Sequence, residues 1–132
     1  NLTCQDATDI DFKNNYFDLT YESTMFVQIT NKTVSQKIAN EMIRITKKGG
    51  HLILFDWRYG KLNNSNFLGC SKRRIEEGFK VDKSTKLISI EKGMLIPPLG
   101  RFLSKNMSSM YFVFSKLFPF LIGQVAYILQ KK

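Results

Sequence analysis

Between residues 33 and 56 the hydrophobic period changes once, and that change dictates a helix followed by a strand. Val34, Ile38, Met42 and Ile45 recur at intervals of three and four, with Ala39 and Ile43 beside them. At 3.6 residues per turn they share one face of a helix. Lys47 and Lys48 follow and suit the negative end of the helix dipole. Gly49 offers the left-handed conformation that ends a helix, and Gly50 allows a tight exit. Leu52 to Phe55 is a continuous apolar run. It predicts a strand buried on both faces of a parallel sheet.

The rest of the chain extends this alternation. Residues 1 to 5 read as the end of a strand, and residues 7 to 15 as a polar loop. Residues 17 to 21 predict a short strand. Residues 56 to 70 form a loop with aromatic residues, and residues 71 to 79 a short helix capped by Ser71. A strand is expected at 85 to 92. Pro97, Pro98 and Gly100 mark a connector with a short helix after it, and the last strand is expected at 124 to 129. The reading is one α/β domain over 1–132, with no internal repeat or linker.

Charge and thiols bound the partners. The formal net charge is +9, which favours anionic partners. The basic residues are scattered as short pairs, such as Arg73-Arg74, and no nucleic-acid-binding motif accompanies them. Nucleic acid is therefore not expected. Cys4 and Cys70 lack metal-ligand spacing and there is one histidine, so no metal site is expected. Two distant thiols read as reduced, which points to the cytoplasm. His51 follows Gly-Gly at a strand start, opposite the expected pocket, and is read as non-catalytic.

In open α/β sheets, ligands bind beyond the carboxyl ends of strands. Asp6, the pair Glu22-Ser23, and Asp56 all sit at such predicted ends. A carboxylate there can accept the amino hydrogen bonds of an adenine, while backbone N–H groups hold ring nitrogens.

These residues carry a resemblance. Asp6-Ala7-Thr8, Phe12 and Tyr16-Phe17-Asp18-Leu19 resemble the D-A-x-x-x-P-F … F-D passage of class I S-adenosylmethionine-dependent methyltransferases of the small-molecule type 11 kind. Glu41 to Gly50, E-M-I-R-I-T-K-K-G-G, is similar to that family's E-x-x-R-V-L-K-P-G-G. Order and spacing agree over residues 3 to 56. Asp11 and Lys48 stand where the family has proline. Ile96 to Phe102, Tyr111 and the closing strand resemble the C-terminal part of some bacterial small-molecule methyltransferases.

The resemblance implies a Rossmann-like sheet ending in an antiparallel strand pair with a helical insertion. It implies S-adenosylmethionine as cofactor and a small-molecule acceptor. Asp6 would accept from the adenine amino group and Ala7 would offer its N–H to the ring. Glu22 and Ser23 would line the methionine side. Gln28 stands where many relatives have histidine and would face the substrate. Asp56, Trp57, Arg58 and Tyr59 would form the acceptor side. No catalytic base is identified. The family's first strand, glycine-rich loop and ribose-holding acid would lie before Asn1, so 1–132 reads as a partial domain, inactive and prone to aggregation by itself.

Each assignment has a structural counterpart. Asp6 fits a turn cap as well as a cofactor contact. Asp56 fits a loop cap, and Trp57 and Tyr59 fit packing aromatics. Residues 110 to 129 hold fifteen apolar residues in twenty, the length of a membrane span. Lys116, Pro119, Gly123 and Gln124 interrupt that run, so a helix and a strand are expected instead. A basic, membrane-associated binding module with no catalysis is the competing reading.

Overall fold

A computed structural model of the protein describes residues 3–60 and 64–132. Strand β1 (Phe17–Ser23) leads through a 3-10 turn at Phe26–Gln28 into helix α1 (Lys32–Ile45) and strand β2 (Thr46–Trp57). Helix α2 (Lys72–Gly78) and strand β3 (Thr85–Lys92) follow. Helices α3 (Pro97–Asn106) and α4 (Ser108–Leu117) and a 3-10 turn (Pro119–Leu121) then precede strand β4 (Gln124–Lys131). The sheet order is β1-β2-β4-β3. β1 and β2 are parallel, while β4 runs antiparallel to both β2 and β3. The Rossmann-like half and the C-terminal antiparallel pair are thus both present, and α3 and α4 form the insertion between the last two strands.

The core lies on one face of the sheet. Leu52 and Leu54 of β2 and Val125, Tyr127 and Leu129 of β4 point into it. Helix α1 brings Ile38, Ala39, Met42 and Ile45 to the same layer, and α2 adds Ile75. The opposite face is less covered. Leu19 and Tyr21 of β1 are exposed there, and Ile53 and Phe55 of β2 are half-buried. The apolar run of β2 was expected to be buried on both faces; the structure buries one face fully and the other in part.

Two local expectations are corrected. Thr3 to Gln5 have no strand conformation, and the remainder of that expected strand lies outside the described residues. Helix α1 also ends without Gly49. Thr46 takes an extended conformation; its N–H bonds the Met42 carbonyl and its hydroxyl adds a second bond to the same oxygen at 2.6 Å. Strand β2 starts at once, so Lys47 and Lys48 belong to it. Gly49, at φ 75°, serves instead where the register with β1 jumps from Phe17–Thr46 to Leu19–His51.

Side chains cap both α1 and α2, Ser71 as expected and Asn31 in addition. The Asn31 side chain accepts from the N–H groups of Thr33 and Val34, capping α1, and Ser71 accepts from Arg74 N–H, capping α2.

Candidate functional site

The carboxyl ends of β1 and β2 carry two buried acids. Residue parity puts Glu22 and Asp56 on the core face with Leu54. Asp56 is fully buried and its oxygens are engaged. Oδ1 accepts from Trp57 N–H at 2.7 Å, and Oδ2 accepts from Val27 N–H at 2.9 Å and from the Cys70 thiol at 3.3 Å. One carboxylate thereby ties the strand end to the 3-10 turn and to the loop before α2. Burial raises the Cys70 thiol pKa, and the nearby Asp56 charge raises it further.

Glu22 is less satisfied. Its Oε2 accepts from Met25 N–H at 3.1 Å, while Oε1 is buried and has no partner among the described residues. Burial, then the Asp56 charge, push its pKa up to about 7. A carboxyl group at the end of a strand is thus poised between neutral and ionised near neutral pH. Directly after it the chain turns at Thr24, whose φ is 57°, a left-handed conformation that is costly for a β-branched residue. Thr24 N–H donates to Phe55 O at 2.9 Å, which holds this turn against β2.

β1 forms one edge of the sheet among the described residues. Beside it lies a cleft of about 500 Å³ that Ala7, Glu22, Ser23, Met25 and Met42 help to line. Its wall from residues 7 to 15 is fixed by an ion pair on α1. Glu41 and Arg44, three apart, face the same way and pair at 2.7 Å. Arg44 Nη1 donates to Phe12 O at 2.6 Å and Nη2 to Ile10 O at 2.7 Å, while Glu41 Oε2 accepts from Ile10 N–H at 2.9 Å. Backbone groups of the loop are satisfied by one bidentate pair. Arg74 does the same for the other loop, donating to Phe26 O at 3.0 Å and Ile29 O at 2.7 Å.

A second cavity, of about 620 Å³, opens beyond β2. Trp57, Tyr59, Phe67, Pro97, Pro98 and Arg101 contribute to it. Tyr59 donates its hydroxyl to Phe120 O at 2.8 Å, and a side chain at Gly123 would meet the Trp57 ring near 3.1 Å. The walls are mostly apolar and aromatic, with the Arg101 cation among them.

The structure therefore distributes the nine residues singled out from the sequence. Ala7, Glu22 and Ser23 share the β1 cleft, and Trp57 and Tyr59 share the second cavity. Asp6 is exposed, and its Oδ1 accepts from Thr8 N–H at 2.8 Å and from Thr8 Oγ1 at 2.9 Å. That turn cap holds the Asp6 carboxyl below its ordinary range. Gln28 is exposed and donates to Thr24 O at 2.8 Å. Arg58 stacks its guanidinium 5.4 Å from the Tyr59 ring centre. Asp56 lies beneath the surface, between the two loops it ties. Glu41, Arg44, Cys70 and Arg74 received no role from sequence. The i,i+3 spacing of Glu41 and Arg44 signals an ion pair; the loop carbonyls it holds leave no sequence trace.

The sheet, its open carboxyl edge and the helices packed on it form a Rossmann-like α/β fold of the kind seen in S-adenosylmethionine-dependent methyltransferases of known structure. Residues 1–54 match the family model described as a methyltransferase domain. Solved structures share the fold across nearly the whole chain. The [4+2]-cyclase SpnF is 13% identical, with 98% of this chain and 56% of that one covered, at a TM-score of 0.62. A S-adenosylmethionine-dependent methyltransferase of Methanosarcina mazei is 13% identical, with 96% and 65% covered, at 0.63. Geranyl diphosphate C-methyltransferase of Streptomyces coelicolor A3(2), solved with Mg2+, geranyl diphosphate and S-adenosyl-L-homocysteine, is 15% identical, with 95% and 50% covered, at 0.57. The chain thus spans between half and two thirds of the length of each. A search of curated protein sequences finds no match.

Proposed function

We propose that this chain forms the adenine side and the acceptor side of a S-adenosylmethionine-dependent methyltransferase pocket acting on a small molecule. The observation that carries the reading is the cleft at the carboxyl end of β1, with Glu22 buried and one of its oxygens unpartnered. An orphaned buried acceptor of this kind fits a ligand that brings hydrogen-bond donors or positive charge. S-adenosylmethionine supplies both, together with an electrophilic methyl group on its sulfonium. In this reading Asp6 and Ala7 meet the adenine, and Glu22 and Ser23 the methionine side. Asp56 acts as a positioning residue, because its oxygens hold Trp57, Val27 and Cys70 in place.

Transfer of a methyl group is an in-line substitution, so the chain's main task is to orient the acceptor. Trp57, Tyr59 and the Pro97-Pro98 corner offer a rigid, largely apolar wall for that purpose. Gln28, in the 3-10 turn after β1, and Arg58, next to Trp57, are assigned to the acceptor side. Glu22 is the titratable group nearest neutrality in this region, and it holds or releases a proton there. The open β1 edge and the thinly covered sheet face support activity that requires a further strand-loop-helix unit with a glycine-rich turn. The reading places the protein in the cytoplasm, in keeping with the free thiols of Cys4 and Cys70.

A fold is not an activity, and a cyclase is among the proteins that share this one. Calorimetry of the full-length protein with S-adenosylmethionine and with S-adenosylhomocysteine tests the reading. Binding of either is expected, and Asp6→Ala weakens it by roughly 5- to 50-fold, the worth of one charge-assisted hydrogen bond. Absence of binding to both ligands overturns the proposal.

A further inference from the structure

We propose that the outer surface of α3, α4 and the turn after them docks peripherally on an anionic lipid membrane. The proposal stands apart from the catalytic reading. Helix α4 buries none of its ten residues. Its inner side, with Tyr111, is anchored by a hydrogen bond from Leu95 N–H to the Tyr111 hydroxyl at 3.1 Å. Its outer side carries Phe112, 73% exposed, and Leu117, 66% exposed. Phe102 on α3 is 57% exposed and Phe120 on the following turn 63%. At about 150–250 Å² per ring, the three phenylalanines alone present on the order of 300–500 Å² of apolar surface. Large side chains left in water on two successive helices and the turn after them are the kind of surface that marks a contact site.

Charge selects the partner. From Gly93 to Lys132 the sequence holds five basic residues and no acid. Two of them stand in the apolar surface itself. Lys105 lies three residues after Phe102 and Lys116 four residues after Phe112, so each shares a helix face with its ring. Rings beside lysines, with no acid between them, suit an interface of acyl chains under anionic headgroups. Long lysine side chains can reach headgroups while their stems stay on the apolar side. Each helix has ten residues, about 15 Å, half of what a span requires. No helix among the described residues is long and apolar enough to cross a membrane. The surface therefore lies on a bilayer rather than through it.

Co-sedimentation of the full-length protein with vesicles tests this. One set is phosphatidylcholine alone, the other contains about 30% phosphatidylglycerol, each at low and high salt. Binding to the anionic set is expected to be at least about tenfold tighter than to the neutral set and to weaken with salt. Phe112→Ser with Phe120→Ser is expected to lower it about tenfold or more at low salt, and Lys105→Glu with Lys116→Glu to remove the anionic preference. Because double variants can misfold, Phe120→Trp supplies a conservative readout. Its emission, over that of Trp57, is expected to shift to the blue and be quenched by brominated acyl chains. Three results overturn the proposal. One is no binding by folded protein. Another is binding that the phenylalanine variant leaves unchanged, which assigns it to charge elsewhere. The third is self-association that the same variant abolishes while vesicles stay unbound.

Discussion

Helices α1, of fourteen residues, and α4, of ten, both carry strong apolar residues, yet they end up in opposite surroundings. α1 lays Ile38, Ala39, Met42 and Ile45 on the sheet, and its other side is polar. α4 has apolar residues nearly all round, and the sheet takes up little of it. The difference lies in the period. A one-sided stripe states where a helix must go, because one rotation alone buries it. An all-round apolar helix has no such preferred rotation, so a second contact is left over. Capping and ion pairs deepen the contrast: α1 is closed by Asn31 and Thr46 and holds a loop through Glu41 and Arg44, whereas α4 has no side-chain cap.

The largest test of that contrast is truncation on each side. Leu54 of β2 is fully buried on the sheet face that α1 covers, so Leu54→Ala removes packed methyl groups beneath that helix and leaves a cavity. It is expected to cost about 2–5 kcal/mol in urea unfolding. Phe112→Ala removes a larger side chain but one in solvent, and is expected to stay within about 0.5 kcal/mol. Equal losses at the two positions would show that α4 is packed as firmly as α1.

The buried acids sharpen the comparison next. Glu22 has a pKa of about 7 in the folded chain against an ordinary value of 4.5. The folded state then binds the proton more tightly than the unfolded one. Its contribution is full below pH 4.5 and is lost as pH rises through 7. The whole loss amounts to roughly 3 kcal/mol. Glu22→Gln keeps an acceptor for Met25 N–H and has nothing to ionise. Thermal melts at fixed pH are expected to show the variant about 1–3 kcal/mol more stable than the parent at pH 8 and nearly equal at pH 4. A constant difference across that range would remove Glu22 as the neutral-range titrator.

Much of the frame was legible because it rests on local rules. The stripe of α1, the Ser71 cap of α2, and strands β3 and β4 follow from period and capping alone. Gly49 misled for a physical reason: two residue types could end α1, and the Thr46 hydroxyl did so by bonding back to Met42. The glycine was then free to absorb the register jump against β1. Glu22 and Asp56 were legible as strand ends. Their different environments were not, since one depends on where Val27 and Cys70 fall and the other on burial beside Asp56 and the turn at Met25. The clamps of Arg44 and Arg74 reach loop carbonyls 32 to 48 residues away, and periodicity carries no such information.

Thr24 gives the smallest effect and the finest test of the region at the end of β1. Its φ of 57° is unfavourable for a β-branched residue, by about 1–2 kcal/mol. Asn tolerates this conformation, and Gly adopts it freely. The two replacements differ in the unfolded chain, where Gly gains more freedom and so gives back about 0.5–1 kcal/mol. Thr24→Asn is therefore expected to raise stability by about 1 kcal/mol, or roughly 3–6 °C in Tm, and Thr24→Gly by less. Both lose the bond from Thr24 Oγ1 to Ser23 O at 2.8 Å, which is exposed and contributes little. If neither variant melts higher than the parent, the turn is held at no cost. If both do, the chain retains a strained residue directly beside Glu22 and Ser23, where a fixed backbone direction is what a binding edge needs.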